Sequence, residues 1–234
     1  MLDLGWTNLI TEIEKAKKSY SWRSKINKIY WRGTATDGVY NLENYANLPR
    51  LSVVMFSRSY PDLIDAKIVG YWQFQEHTEK IQPLMEVFDI LFGHDQHRVK
   101  ETDHLRYKYL ASIDGATCAW KRVPWIMLSN SVLLKQETNK IEWFYSAIKP
   151  YVHYVPMNER LTDIFQKLKW MQENDKVVER ISKNAQDFVK NNLMPDDIDA
   201  HTVIILNEYH KLFGGKKIEV TLPVYKYIEQ RKFE

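Results

Sequence analysis

At 234 residues, 44% apolar and 27% charged, with only eight Gly and eight Pro, the chain is sized for one α/β domain, alone or with a helical extension, and shows no compositional sign of disorder. A formal net charge of +3 is too small to argue for nucleic acid, yet it suits an anionic ligand or an anionic membrane surface. The single Cys118 rules out an internal disulfide and fits a reducing compartment.

The first twenty residues are amphipathic with interspersed charge and lack both a signal-peptide core and a transmembrane run. The expected location is therefore the cytoplasm or, peripherally, the inner face of a membrane. Leu9, Ile10 and Ile13 have helical spacing, so residues 1–21 read as a helical segment. KINKIYWRGT then reads as a buried strand ending near Gly33, and the stretch from Asn41 to Tyr60 as a helix broken at Pro49. A second strand is expected from Ile64 to Val69 and a helix from Gln82 to Phe92. RYKYLASIDG predicts a third strand ending at Asp114 and Gly115. A short helix in CAWKRVPWIMLSNS, a fourth strand in SVLLK, a helical turn in EWFYSAIKP and a fifth strand in YVHYVPM follow.

From residue 158 three helical patterns succeed one another. Alternating strands and helices predict a parallel sheet with right-handed crossovers, whose ligands bind outside the carboxyl ends of the strands.

Four features fall at or near predicted strand ends or helix starts. Trp31, Arg32, Gly33 and Thr34 combine a planar donor fork with a Gly that permits close backbone approach, which suits a diphosphate; each is equally at home in a structural role. Asp114 and Gly115 form a turn that leads to Arg122, a residue able to clamp phosphate oxygens, although an Asp-Gly pair alone is a common turn. Ser131, Val132 and Lys135 place a hydroxyl and an ammonium around an apolar strand, which also describes a solvated Lys beside a core strand. Glu142 can accept from a sugar diol or can complement a helix dipole. Eight Trp and fourteen Tyr suit a sugar or base pocket as well as core packing.

There is no Gly-rich nucleotide fingerprint, no Walker loop and no convincing metal spacing among the seven His. The Asp197-Ile198-Asp199 pair lies in a predicted first helical turn, where acidic residues complement the dipole, so no metal is expected.

In order, KIYWRGT, PDLIDAKIVG, HLRYKYLASIDG, WKRVPW, NSVLLK, EWFYSAIKPYVHYVPM and ENDKVVERISKNAQDFVKNNL resemble the C-terminal half of glycosyltransferase family 90. That family includes Rumi-type protein O-glucosyltransferases, capsule xylosyltransferases and bacterial lipopolysaccharide-modifying transferases. The resemblance implies a GT-B architecture in which residues 22–157 form a Rossmann-like domain that binds the nucleotide-sugar. Residues 158–234 add helices and a tail to the same domain. It also implies inverting transfer from a UDP-sugar to a surface glycan such as lipopolysaccharide core, without an essential cofactor or metal. By position, Arg32 and Arg122 would face the diphosphate, and Asp114, Gly115, Ser131, Val132, Lys135 and Glu142 would surround the donor. The family's base is an Asp of an N-terminal domain for which this sequence leaves no room, so no catalytic residue is assigned. A complementary N-terminal half supplied separately is one implied partner, and a nucleotide-sugar binding module without transfer activity is the alternative.

Overall fold

The computed structural model describes residues 5–38, 47–71, 86, 89–90 and 99–212 of the chain. Five parallel strands, β1 (Ile26–Ala35), β2 (Ile64–Tyr71), β3 (Tyr107–Ser112), β4 (Val132–Gln136) and β5 (Val155–Met157), form one sheet in the order β2-β1-β3-β4-β5. Buried on both faces, β3 and β4 carry the near-continuous apolar runs that such sheets require.

The helices are α1 (Trp6–Ala16), α2 (Pro49–Ser59), the single turn α3 (Glu101–His104), α4 (Arg122–Leu128), α5 (Ile164–Glu173), α6 (Asp175–Asn192) and α7 (Pro195–Leu212). One face of the sheet packs Trp31, Ile68, Ala111 and Leu134 against α2 and α5. On the other, Tyr30, Leu110 and Leu133 meet α1 and α4. Helix α6 serves both faces, giving Val178 and Ile181 to the first and Ala185 and Val189 to the second. The N-terminal segment is part of this body: Gly5 turns in the left-handed region before α1, and the Trp6 indole N–H donates to the Leu193 carbonyl at 2.8 Å.

The α/β reading of the sequence therefore holds strand for strand, with local corrections. The helical turn expected in residues 142–150 is a run of turns over 143–147, with Tyr145 N–H donating to the Glu142 carbonyl at 3.0 Å and Ala147 N–H to that of Phe144 at 3.0 Å. The apolar signal there comes from Phe144 and Ile148 anchoring the turns in the core. The fifth strand is only three residues long, because Tyr151 adopts a φ of 59° and the chain turns before it can pair. The helix expected from Gln82 to Phe92 lies almost wholly outside the described residues. No described helix is long and apolar enough to cross a membrane.

At the amino edge, the buried Lys25 donates to the Leu105 carbonyl and to Ser131 Oγ at 2.9 Å. Burial, reinforced by Lys108, lowers its pKa to about 7. Between that value and the ordinary lysine range the unfolded chain holds a proton that the folded chain has given up, so stability rises with pH through that window. Urea unfolding at about pH 7.5 and about pH 9.5 should show a gain of up to about 1.4 kcal/mol per pH unit. Lys25→Met should flatten it. An equal slope in the variant would remove Lys25 as the cause.

Candidate functional site

The crossover helices leave β1 and β3 on opposite faces, α2 on one and α4 on the other, so the chain parts at the carboxyl ends of these two neighbouring strands. In doubly wound sheets this divergence opens the ligand crevice. A cleft of ≈ 730 Å³ opens at this edge, lined by Thr34, Thr36, Arg50, Gly115, Cys118 and Arg122 among others.

Arg50 builds its floor. From the first turn of α2, its buried guanidinium donates to the carbonyls of Thr34, Ile113 (2.8 Å) and Asp114 (3.2 Å) and to Thr36 Oγ1 at 2.7 Å. These acceptors belong to the ends of both β1 and β3. Gly115 lies so close that a Cβ there would run into Thr36 Oγ1 and the Arg50 guanidinium. Gln136, buried at the end of β4, completes the edge: its Oε1 accepts from Asp114 N–H at 2.8 Å and its Nε2 donates to the Glu159 carbonyl at 2.6 Å.

The predicted site residues divide into four groups. Thr34, Gly115 and Arg122 line the cleft. Trp31 and Asp114 support it from beneath. The Trp31 ring centre lies 5.8 Å from the Arg50 guanidinium carbon and 6.0 Å from that of Arg122, and the ring folds over Gly33, where a Cβ would strike it. Asp114 is buried and spent on the loop, accepting from Ala119 N–H at 3.2 Å and Thr138 Oγ1 at 2.6 Å. Lys135 and Glu142 line a second cleft of ≈ 420 Å³ beyond the end of β4, where Lys135 Nζ sits 4.5 Å from the centre of the Tyr145 ring. Glu142 links the two clefts by accepting the Cys118 thiol at 3.1 Å; burial and this bond push that thiol up to about 11.

Three expectations are corrected. Ser131 and Val132 sit at the start of β4, on the amino edge, where Ser131 Oγ donates to the Tyr107 carbonyl at 2.7 Å. A strand rises roughly 3.3 Å per residue, so they lie the length of the strand away from the cleft. Arg32 does not line the cleft either. Side chains alternate along β1, which sends Trp31 to one face and Arg32 to the other. There the Arg32 guanidinium carbon lies 4.3 Å from the Tyr30 ring centre, and Nη2 pairs with Asp65 Oδ1 at 2.7 Å. Burial, and then the charges of Arg122 and Arg32, lower the His104 pKa to about 3.

Arg122 is different. It is half-buried, and among the described residues nothing accepts a hydrogen bond or pairs with its guanidinium. Burial and then the neighbouring Arg50 lower its pKa to about 10, against an opposing pull from Glu101. A cation so placed gains from an anion entering the cleft.

Among the described residues, no three His, Cys, Asp or Glu side chains gather to hold a metal. Asp197 instead accepts from Met194 N–H at 2.9 Å, capping the start of α7.

The family model for glycosyl transferase family 90 matches residues 4–226. The chain belongs to glycosyl transferase family 90. Mouse protein O-glucosyltransferase 3 is 34% identical over 214 residues, covering 91% of this chain and 37% of the mouse protein. Human protein O-glucosyltransferase 1 is 27% identical, over 89% of this chain and 48% of its own length. This member thus spans between about a third and a half of these curated relatives. Among solved structures, Anabaena HepE in complex with UDP-glucose superposes with a TM-score of 0.47 at 13% identity, over 79% of this chain and 50% of that one.

The Arg50 network is open to direct test. Arg50→Met leaves several buried carbonyls without a donor and should cost about 3 kcal/mol or more in urea unfolding. Gly115→Ala should cost about 1–3 kcal/mol by pushing Thr36 or Arg50 aside. Unchanged unfolding midpoints in both would mean that the edge does not depend on this arginine.

Proposed function

We propose that this family 90 chain binds the diphosphate of a UDP-sugar in the cleft between β1 and β3 and serves as the donor-binding part of an inverting glycosyltransferase. The observation that carries this reading is the half-buried guanidinium of Arg122, which has no hydrogen-bond or ion-pair partner among the described residues and faces a cleft at the point where the sheet's connections diverge. A guanidinium matches phosphate oxygens with paired N–H donors, and in a partly dry site its charge is worth more than in water.

In the proposed reaction an acceptor hydroxyl oxygen bonds to the anomeric carbon while the bond from that carbon to the phosphate oxygen breaks. The hydroxyl proton passes to a carboxylate base, and the electron pair leaves with UDP, where Arg122 offsets the growing charge. No base is assigned among the described carboxylates. The acceptor is a hydroxyl-bearing surface glycan such as lipopolysaccharide core, or a protein hydroxyl of the kind that the relatives' names indicate. The second reading is a nucleotide-sugar binding module without transfer activity, which would use the same cleft.

Calorimetry with UDP and UDP-glucose tests the donor site. Arg122→Ala should weaken binding roughly 10- to 100-fold, the worth of a charge-assisted hydrogen bond. Arg32→Ala should leave affinity almost unchanged and instead lower stability by about 2–3 kcal/mol, because it strands Asp65. Wild-type affinity in Arg122→Ala would overturn the assignment. UDP release from UDP-glucose in the presence of a glycan or protein acceptor separates a transferase from a binder.

A further inference from the structure

Beside the donor cleft lies a smaller groove of ≈ 160 Å³, formed where the loop before α4 and the turns at 142–146 meet the first half of α7. Its walls are the indoles of Trp120 and Trp143, with Ile205 as an apolar side and Glu142, Lys121 and His201 supplying polar edges. Three features set it apart from an ordinary surface dent.

Trp120 is half-exposed, although an indole is an expensive side chain to leave in water. It also adopts a φ of 40°, a left-handed conformation that a bulky residue avoids and that clusters at ligand sites. Its indole N–H donates to Thr117 Oγ1 at 2.9 Å, so the ring is held in place. Trp143, also exposed, stacks on His201 with ring centres 4.1 Å apart and planes 19° apart. Finally, His201 Nε2 is buried and has no hydrogen-bond partner among the described residues, an arrangement that folded proteins rarely leave unfilled.

We propose that this groove is a carbohydrate subsite that holds one pyranose ring of the acceptor. A sugar ring presents an apolar C–H face that suits an indole and a rim of hydroxyls that both donate and accept. Glu142 can accept from such a rim, Lys121 can donate to it, and His201 Nε2 can take the hydroxyl it lacks. The Glu142 carboxylate disfavours a phosphate or carboxylate ligand here, which separates the groove from the cationic cleft around Arg122. Trp120 and Lys121 line both spaces, so a ring bound in the groove adjoins the donor site. That this ring belongs to the acceptor rests on the transferase reading above, whereas the chemistry of the groove does not.

The test is saturation-transfer NMR on the full chain, with methyl α-glucopyranoside and methyl β-xylopyranoside as probes and far-UV circular dichroism as the check on folding. The wild type should transfer saturation to the ring protons of at least one glycoside. Trp120→Ala and the milder Trp143→Phe and His201→Phe should each weaken that glycoside about five- to tenfold. Arg122→Ala should bind it as the wild type does while binding UDP roughly 10- to 100-fold more weakly. No transfer to either glycoside in the wild type, or equal transfer in all three groove variants, would overturn the proposal. Glycoside binding without UDP binding would defeat the donor assignment and leave the groove standing.

Discussion

The carboxyl edge of the sheet depends on one buried guanidinium. Where β1 and β3 separate, their last carbonyls lose the partners that a continuous ladder would supply, and a buried carbonyl without a donor costs on the order of 1–3 kcal/mol. Arg50 answers the shortage on both strands at once, taking Thr34 from β1 and Ile113 and Asp114 from the chain that leaves β3. Its planar fork is what lets a single side chain reach acceptors on two diverging strands; a lysine ammonium on a flexible stem would not hold them in register. Gly115 follows as a necessity, since the guanidinium fills the space where a Cβ would stand. One side chain thus ties together the floor of the cleft.

Much of this architecture was legible because the sheet is buried on both faces. Runs such as YKYLAS and VLLKQ cannot be solvent-facing strands, and their alternation with helical segments fixes a parallel order. In residues 142–150 the apolar Phe144 and Ile148 stand four apart, as on one helical turn, and both anchor the turns in the core. Ser131 and Val132 open the fourth strand, and since ligands of a parallel sheet lie beyond the carboxyl ends, only Lys135 of this group lies toward the functional end.

Arg50 left a faint trace. It directly follows Pro49 and so sits in the first turn of α2, where a cation opposes the helix dipole. A local rule broken without evident compensation often marks a functional or strained site, and here the compensation lies in carbonyls that only the folded sheet supplies. Gln136 carries a similar mark, an amide at the close of an apolar strand whose two ends bond the loops after β3 and β5. Neither could be assigned from spacing, because their partners are backbone atoms from distant parts of the chain.

The contrast between Arg32 and Arg122 shows what decides whether a buried arginine is available to a ligand. Both add to the burial that lowers the His104 pKa, and both lie near an aromatic ring. Arg32 is already neutralised: Asp65 pairs with it, and Tyr107 Oη donates to the other oxygen of the same carboxylate at 2.7 Å, fixing the pair in place. An incoming phosphate would have to break that pair and strand a carboxylate, a loss comparable to the gain. Among the described residues Arg122 has no such ion pair; Arg50 repels it, while Glu101 pulls the other way. For Arg122 an anion relieves an existing repulsion, whereas for Arg32 it replaces one ion pair with another. Strand alternation alone produced that difference, by turning Arg32 away from the face on which Trp31 meets the two cleft arginines.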